Sequence, residues 1–177
     1  ETGTGFTASF TEGQTSPAVI VAAAGLTVTD TDSANLASAT VTITNLQDGD
    51  AEILAVNTTG TPITANYNAA TGVLSLTGSA TLANYQQVLR TLTYNNTSQD
   101  PTEVNRSITF VVNDGANSST AATATVSVTG VNDGVGLALP APYDNSPVEI
   151  TLGDDIEFTA IITDPDNTLA EITVYLD

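Results

Sequence analysis

The sequence predicts an all-β protein, a Greek-key β-sandwich with one short helix, followed by part of a second β-sandwich. Short segments in which apolar and polar residues alternate recur along the chain, and turns rich in Gly, Asn and Asp separate them. This pattern is typical of antiparallel sandwiches. The apolar residues are mainly Val, Ile, Leu and Ala, and Thr is frequent, which suits sheets with one wet face.

The predicted strands of the first sandwich follow one another with short turns between them. Alternate residues of each strand point to the same face, so Ala39, Val41 and Ile43 should be buried together. Residues 57–71 are rich in turn-forming residues and are expected to be a loop. The strands are predicted at residues 5–11, 18–21, 26–29, 38–45, 53–56, 72–77, 91–95, 106–112 and 122–129.

The stretch 81–90 departs from the β pattern and predicts a short helix. Leu82, Tyr85 and Leu89 recur at helical spacing. Thr81 precedes them and is a good N-cap residue. We expect this helix to cover one side of the sandwich.

The composition changes after Gly134, which predicts two domains, residues 1–134 and residues 135–177. The second segment contains three further alternating stretches, at 148–152, 156–162 and 170–176. A complete immunoglobulin-like sandwich has about 100 residues. Residues 135–177 therefore predict only the N-terminal part of a second sandwich.

The charge of the chain excludes several functions. The sequence contains two Arg and no Lys, compared with 20 Asp and Glu residues, which gives a formal charge of −18. Nucleic acids and anionic membranes both need basic patches, so neither is an expected partner. The chain has no Cys or His, which removes the ligands and nucleophiles of most zinc, haem and Cys- or Ser-His-dependent sites. We expect no enzymatic activity and no membrane insertion.

Acidic turns at one pole of the predicted sandwich indicate calcium ligands. Asp30, Asp32 and Asn35 lie in the turn after the strand 26–29, and Asp114 ends a strand that can reach the same pole. Calcium binds six to eight oxygens from carboxylates, amides, backbone carbonyls and water. An isolated Asp-x-Asp turn is more often a solvated loop than a metal site. The prediction of calcium ligands therefore depends on the recurrence of such turns.

A second group of acidic and amide residues lies at the other pole. Glu12 follows the first strand, and Asn132 and Asp133 follow the last. Asp164 and Asp166 occupy a turn of the second module that can face this pole. These five residues predict a calcium cluster at the junction.

Four segments of residues 5–134 resemble the cadherin-like repeats of large secreted bacterial adhesins. They are Phe10-Thr11-Glu12-Gly13, Val28-Thr29-Asp30-Thr31-Asp32, Val111-Val112-Asn113-Asp114-Gly115 and Val128-Thr129-Gly130-Val131-Asn132-Asp133. The predicted helix makes the repeat similar to the proteoglycan-type subset. Residues 135–177 are similar to the start of a bacterial immunoglobulin-like domain.

The resemblance implies a calcium-dependent module joined to its neighbours through bound ions. It implies that Glu12 and the 130–134 linker share ions with the next module. It also implies that Asp30, Asp32, Asn35 and Asp114 serve a preceding module. The linker lacks the first Asp and last Asn of the family pattern, and no Leu-Asp-Arg-Glu stretch is present, so ligands are missing.

The sequence favours a calcium-rigidified spacer in an extracellular or cell-surface adhesion protein, with adjacent repeats of the same chain as partners. One alternative is a polysaccharide-binding accessory module of a secreted enzyme, in which Tyr67 and Tyr143 are the Tyr residues expected in loops. Another is a subunit of a self-assembling extracellular filament. The Asn-x-Ser/Thr sequons at Asn57, Asn96, Asn105 and Asn117 could accept glycans, although a chain so rich in these residues also produces them by coincidence.

Overall fold

The computed structural model describes residues 5–19 and 25–134, together with the backbone of 136–138 and 161–163. The chain forms two compact units, residues 1–131 and 132–177. Unit 1 is an all-β sandwich with one helix, which confirms the predicted fold class.

Unit 1 consists of a six-stranded and a three-stranded sheet. The larger sheet has the order β1-β9-β8-β3-β6-β5 and the smaller has the order β2-β7-β4. β1 pairs with β9 in parallel, and the other described pairs are antiparallel. The elements are β1 Phe6–Thr11, β2 Ala18–Val19, β3 Asn35–Ile43, a 3-10 turn Gly49–Ala51, β4 Glu52–Ala55, β5 Thr64–Asn68, β6 Val73–Thr81, α1 Leu82–Leu89, β7 Thr93–Asn96, β8 Arg106–Asn113 and β9 Ala122–Thr129.

The core lies between the two sheets and is built from alternate residues of each strand. Ala39, Val41 and Ile43 of β3 are all buried, as their alternation predicts. The smaller sheet contributes Tyr94, whose ring meets Phe10 of β1 edge-on at a centroid distance of 5.5 Å. Such edge-to-face aromatic pairs stabilise a core beyond the area that they bury.

Helix α1 confirms the helix predicted at 81–90. The Thr81 side chain accepts a hydrogen bond from the Asn84 amide, at 3.2 Å, and so caps the first turn. Tyr85, Val88 and Leu89 are buried against the sandwich. The Tyr85 hydroxyl donates to the carbonyl of Gly78 in β6, at 2.8 Å, and thereby ties the helix to the larger sheet.

Two predictions about strands were wrong. Residues 26–29 form no strand. The Val28 amide donates to the side chain of Gln86 in α1, and Arg90, the C-cap residue of that helix, donates to the Leu26 carbonyl. Conversely, β5 lies inside the stretch 57–71 expected to be a loop. β5 is an edge strand whose residues are nearly all exposed, so it lacks the apolar alternation that marks a strand. For the predicted strand 18–21, the structure describes only Ala18–Val19.

A buried ionic network closes the end of the sandwich at which β8 begins. Arg106 is fully buried and contacts Glu52, which is also fully buried, and Asp48 at 2.6 Å. Asn96 and Thr102 donate further hydrogen bonds to Asp48. One buried guanidinium thus pairs with two carboxylates. The second oxygen of Glu52, Oε2, is buried and has no hydrogen-bond partner among the described residues, so the network is only partly satisfied.

Unit 2 contains two described strands, β10 Gly136–Ala138 and β11 Ile161–Thr163, which pair antiparallel. β11 overlaps the strand predicted at 156–162, whereas β10 was not predicted. The strands predicted at 148–152 and 170–176 lie outside the described residues. That residues 135–177 begin an immunoglobulin-like domain stays a prediction.

Candidate metal centre

Three carboxylates meet at the end of unit 1 where β8 stops. Asp30, Asp32 and Asp114 each place one side-chain oxygen within 4.8 Å of the other two. Asp32 is exposed, and the other two are half-buried. The structure thus brings together three of the four residues predicted to form a site at this pole. We call Asp30, Asp32 and Asp114 the aspartate cluster.

Helix α1 holds the segment that leads into the cluster. The guanidinium of Arg90 donates two hydrogen bonds to the carbonyl of Leu26, at 3.0 and 2.7 Å. The amide of Val28 donates to the side-chain oxygen of Gln86, at 3.1 Å. Leu26 and Val28 also bury their side chains in the core. The position of Asp30 is therefore set by the helix as well as by its own turn.

The Asp30 turn folds around one carboxylate oxygen. Asp30 Oδ1 accepts hydrogen bonds from the amides of Asp32, at 3.0 Å, and Ser33, at 2.9 Å. This is the local hydrogen bonding by which Asp favours turns. It fixes the two carboxylates of the Asp-x-Asp pair next to each other.

Asp114 reaches the cluster from the turn between β8 and β9. Its Oδ1 accepts hydrogen bonds from the amides of Ala116, at 2.7 Å, and Asn117, at 2.6 Å. Its Oδ2 accepts a hydrogen bond from the Ser33 hydroxyl at 3.2 Å. The Ser33 contact ties together two turns that are far apart in sequence.

The electrostatics show mutual repulsion within the cluster. Hydrogen bonds from the backbone of Ser33 and Asp32 lower the pKa of Asp30. The pKa of Asp32 is raised because its carboxyl group is hydrogen-bonded to the Asp30 carboxylate and repelled by it, with a further contribution from Asp114. The pKa of Asp114 is itself lowered, first by the backbone amide of Asn117. A proton on Asp32 relieves this repulsion, and a bound cation would relieve it more fully.

The geometry of the cluster fits a calcium ion. Two oxygens that each lie about 2.4 Å from one ion are at most about 4.8 Å apart. The three oxygens here satisfy that limit. Calcium needs six to eight oxygens, so water and backbone carbonyls would complete the shell. All three side-chain ligands are hard carboxylates, the type that calcium prefers.

Asn35, the fourth residue predicted at this pole, is the exposed first residue of β3. It pairs with Thr81, the N-cap residue of α1. The described contacts give its side chain no bond to the three carboxylates, so its part in a site stays a prediction.

At the opposite end of unit 1, Glu12 is buried beneath the linker. Its Oε2 accepts a hydrogen bond from the amide of Val131 at 2.8 Å. Its Oε1 is buried and has no hydrogen-bond partner among the described residues. Asn132 and Asp133 follow directly, and the Asn132 side chain donates to the Asp133 carbonyl at 3.1 Å. Asp164 and Asp166, also predicted for this junction, lie outside the described residues.

Glu103 also contacts the linker, although no local sequence pattern predicts this contact. Its Oε1 accepts a hydrogen bond from the amide of Gly130 at 2.8 Å. Glu103 lies in the loop between β7 and β8, where it belongs to no acidic motif. Two carboxylates thus hold two consecutive amides of the linker.

Comparison with known proteins gives one partial similarity. Over 84 residues the chain is 42% identical to halomucin of Haloquadratum walsbyi, which covers 44% of this chain and 1% of that protein. The chain thus spans about one hundredth of the length of this curated relative. No protein-family profile matches the chain. No solved structure matches it either.

In the part of the chain that the structure describes, no helix is both long enough and apolar enough to cross a bilayer.

Proposed function

We propose that the chain is a calcium-rigidified spacer segment of a large extracellular surface protein. The convergence of Asp30, Asp32 and Asp114 supports the calcium part of this proposal. The cluster joins a turn of the 25–34 segment to a turn of the β8–β9 hairpin. A single ion bound to both turns would stiffen this end of the module, where a preceding module would attach.

The partial similarity to halomucin supports the extracellular part. The matched segment is a small piece of a very long protein, as expected of one module among many. A non-catalytic role accords with the absence of Cys and His from the sequence. The partners in this proposal are neighbouring modules of the same protein.

Glu12 supplies a ligand for a second ion at the linker end. Its Oε1 is buried and has no hydrogen-bond partner among the described residues, and burying an unpartnered polar atom is costly. A cation at Oε1 would remove that cost. A role of Asn132 and Asp133 as ligands stays a prediction from the sequence.

The polysaccharide-binding alternative finds few exposed aromatic side chains, since only Tyr67 and Tyr143 are expected in loops. Tyr67 lies in strand β5 instead. Its hydroxyl donates to the carbonyl of Glu52 at 2.8 Å, and its ring packs against the core. Burial raises the pKa of Tyr67 to about 12, aided by the charges of Glu52 and Asp50. Tyr67 therefore serves the fold, and Tyr143 lies outside the described residues.

Thermal unfolding with and without calcium tests the proposal. A ligand that binds only the folded state at a few hundred times its Kd raises the free energy of unfolding by about 3 kcal/mol. We expect several millimolar calcium to raise Tm by several degrees relative to EDTA. Asp30→Asn and Asp114→Asn should each remove most of this rise.

The matched control is Asp100→Asn, which removes one exposed carboxylate from a loop outside the cluster. It should leave the calcium response unchanged. An equal rise in all variants would show that calcium acts by general screening, and no rise in the wild-type protein would end the calcium proposal.

A further inference from the structure

The five sequons, at Asn57, Asn95, Asn96, Asn105 and Asn117, differ sharply in accessibility. Asn57, Asn105 and Asn117 are exposed, whereas Asn95 is half-buried within β7 and Asn96 is buried. A glycan is bulky and must project into solvent. The side-chain amide must also be free to react, and the residue two positions later must lie next to it.

Asn57 meets these conditions. It lies in the loop between β4 and β5, and its Oδ1 accepts a hydrogen bond from the amide of Thr59 at 2.9 Å. This Asx turn brings the first and last residues of the Asn57-Thr58-Thr59 triplet together. Both Asn57 and Thr59 are exposed, and the described hydrogen bonds leave the Asn57 amide nitrogen and the Thr59 hydroxyl unused. The Asn57 backbone amide is anchored to the Thr91 hydroxyl at 2.8 Å.

Asn96 forms the same turn but in a setting that excludes a glycan. Its Oδ1 accepts a hydrogen bond from the Ser98 amide at 3.0 Å. Its amide nitrogen, however, donates to Asp48 at 2.7 Å and to the Tyr94 hydroxyl at 3.4 Å. A sugar on this nitrogen would break the buried network around Arg106. A folded molecule therefore cannot carry a glycan there.

The other two exposed sequons end in Ser residues that already form hydrogen bonds within the fold. Ser107, which ends the Asn105 sequon, is a residue of β8, and its amide donates to Asn45 at 2.7 Å. Ser119, which ends the Asn117 sequon, uses its hydroxyl to accept from the Val112 amide at 3.1 Å. Neither hydroxyl-bearing residue is placed beside its Asn side chain by an Asx turn.

We propose that Asn57 is an N-glycosylation site of the exported protein. The donor is an oligosaccharide carried on a lipid phosphate, and a separate transferase supplies the catalysis. The Asn57 Nδ2 forms a bond to the anomeric carbon while the bond from that carbon to the phosphate oxygen breaks. The lipid phosphate leaves with the electron pair, and the amide proton passes to a base. This proposal rests on the extracellular location in the proposed function and not on calcium binding.

Glycopeptide mass spectrometry of the protein isolated from the culture of its natural producer tests the proposal. We expect the peptide that contains Asn57 to carry a sugar mass and the peptide that contains Asn96 to be unmodified. In that producer, Asn57→Gln and Thr59→Ala should each abolish the sugar, whereas Thr59→Ser should retain it. A melting curve of each variant in calcium separates loss of the glycan from loss of the fold.

Two results would overturn the assignment. One is an Asn57 peptide found only at its unmodified mass in protein recovered from outside the cell. The other is a sugar on Asn96 in protein that still melts cooperatively. A failed calcium response with a glycosylated Asn57 would contradict the calcium proposal alone.

Discussion

At Asp32 a proton would compete directly with the calcium ion of the proposed site. The pKa of Asp32 is raised by the Asp30 carboxylate, so without calcium this carboxyl group binds a proton more readily in the folded state than in the unfolded state. The contribution of Asp32 to the stability of the calcium-free protein should therefore increase as the pH falls through this raised pKa. Calcium affinity should decrease over the same range, because the ligand must be deprotonated.

Asp32→Asn should consequently change stability in opposite directions with and without calcium. In EDTA at neutral pH the substitution removes repulsion, so Tm should stay equal or rise. In millimolar calcium it removes a ligand, so Tm should fall below that of the wild-type protein. Paired melting curves measure both. A lower Tm in both conditions by the same amount would assign Asp32 a purely structural role.

Arg106 is the residue whose loss should cost the fold most. It is fully buried between Glu52 and Asp48 and also donates to the carbonyls of Thr102 and Val104. Removing one partner from a buried ion pair typically costs about 3–5 kcal/mol, because the other charge stays buried without compensation. Arg106→Met should lower the free energy of unfolding by about that much in urea titrations.

A double variant separates the charge effect from the packing effect. The double variant Arg106→Met, Glu52→Gln no longer contains the Glu52 carboxylate that Arg106→Met alone leaves uncompensated. The free energy of unfolding should therefore fall by less than the sum of the two single effects. Additive losses would show that Arg106 and Glu52 contribute independently.

The same network predicts acid sensitivity through Asp48. Burial alone would raise its pKa, but hydrogen bonds from Thr102 and Asn96, together with the charge of Arg106, lower it. The stability that Asp48 contributes is thus present above its unfolded pKa and is lost as the pH falls through its lowered folded pKa. Asp32 has the opposite sign, so acid titrations of Asp48→Asn and Asp32→Asn should diverge.

At the scale of elements, helix α1 links the core to the aspartate cluster. Arg90 and Gln86 hold the backbone at Leu26 and Val28. Hydrogen bonds to charged groups contribute about 1.5–3 kcal/mol, so Arg90→Ala should destabilise the protein measurably. It should also weaken calcium binding, because the Asp30 turn loses its anchor.

Hydrogen exchange with calcium titration distinguishes these two effects. In Arg90→Ala, amides of residues 25–33 should exchange faster, and the calcium Kd should rise. Thr81→Ala is the control, since it weakens the cap of the same helix without touching the Leu26 carbonyl. An unchanged calcium Kd in Arg90→Ala would show that the helix does not influence ion binding at the aspartate cluster.

The elements also show what the sequence could predict. Alternation in β3, β8 and β9 marks strands buried on one face, and acidic turns at their ends mark the aspartate cluster. The edge strand β5 escaped prediction because its residues are almost all exposed and polar. The inward alternation of Leu26 and Val28 predicts a strand at 26–29, but Gln86 of α1 and the C-cap residue Arg90 bind the backbone there. The contacts of Glu103 and Glu12 with the linker depend on tertiary structure, and no local pattern encodes the Glu103 contact.

At the scale of the whole molecule, both cations of the chain are committed to internal bonds. Arg90 binds a backbone carbonyl, and Arg106 is buried with two carboxylates. The formal charge of −18 is therefore spread over a surface whose described part offers only one basic side chain in compensation, the half-buried Arg90. Self-repulsion of this kind destabilises a compact state and is screened by salt.

Monovalent salt should accordingly stabilise the protein even in EDTA. We expect Tm to rise steadily with potassium chloride, in the wild-type protein and in Asp114→Asn alike. Calcium compared at matched ionic strength should add a further rise that is larger in the wild-type protein than in Asp114→Asn, which keeps Glu12 at the linker end. A Tm independent of potassium chloride would contradict the importance of surface repulsion.

Calorimetric titration of calcium into the chain at fixed ionic strength tests the central claim most directly. The account predicts a saturable binding heat in the wild-type protein and in Asp100→Asn, and a greatly weakened one in Asp30→Asn, Asp32→Asn and Asp114→Asn. Identical heats in all five proteins, or no heat beyond dilution in the wild-type protein, would contradict the assignment of calcium to the aspartate cluster.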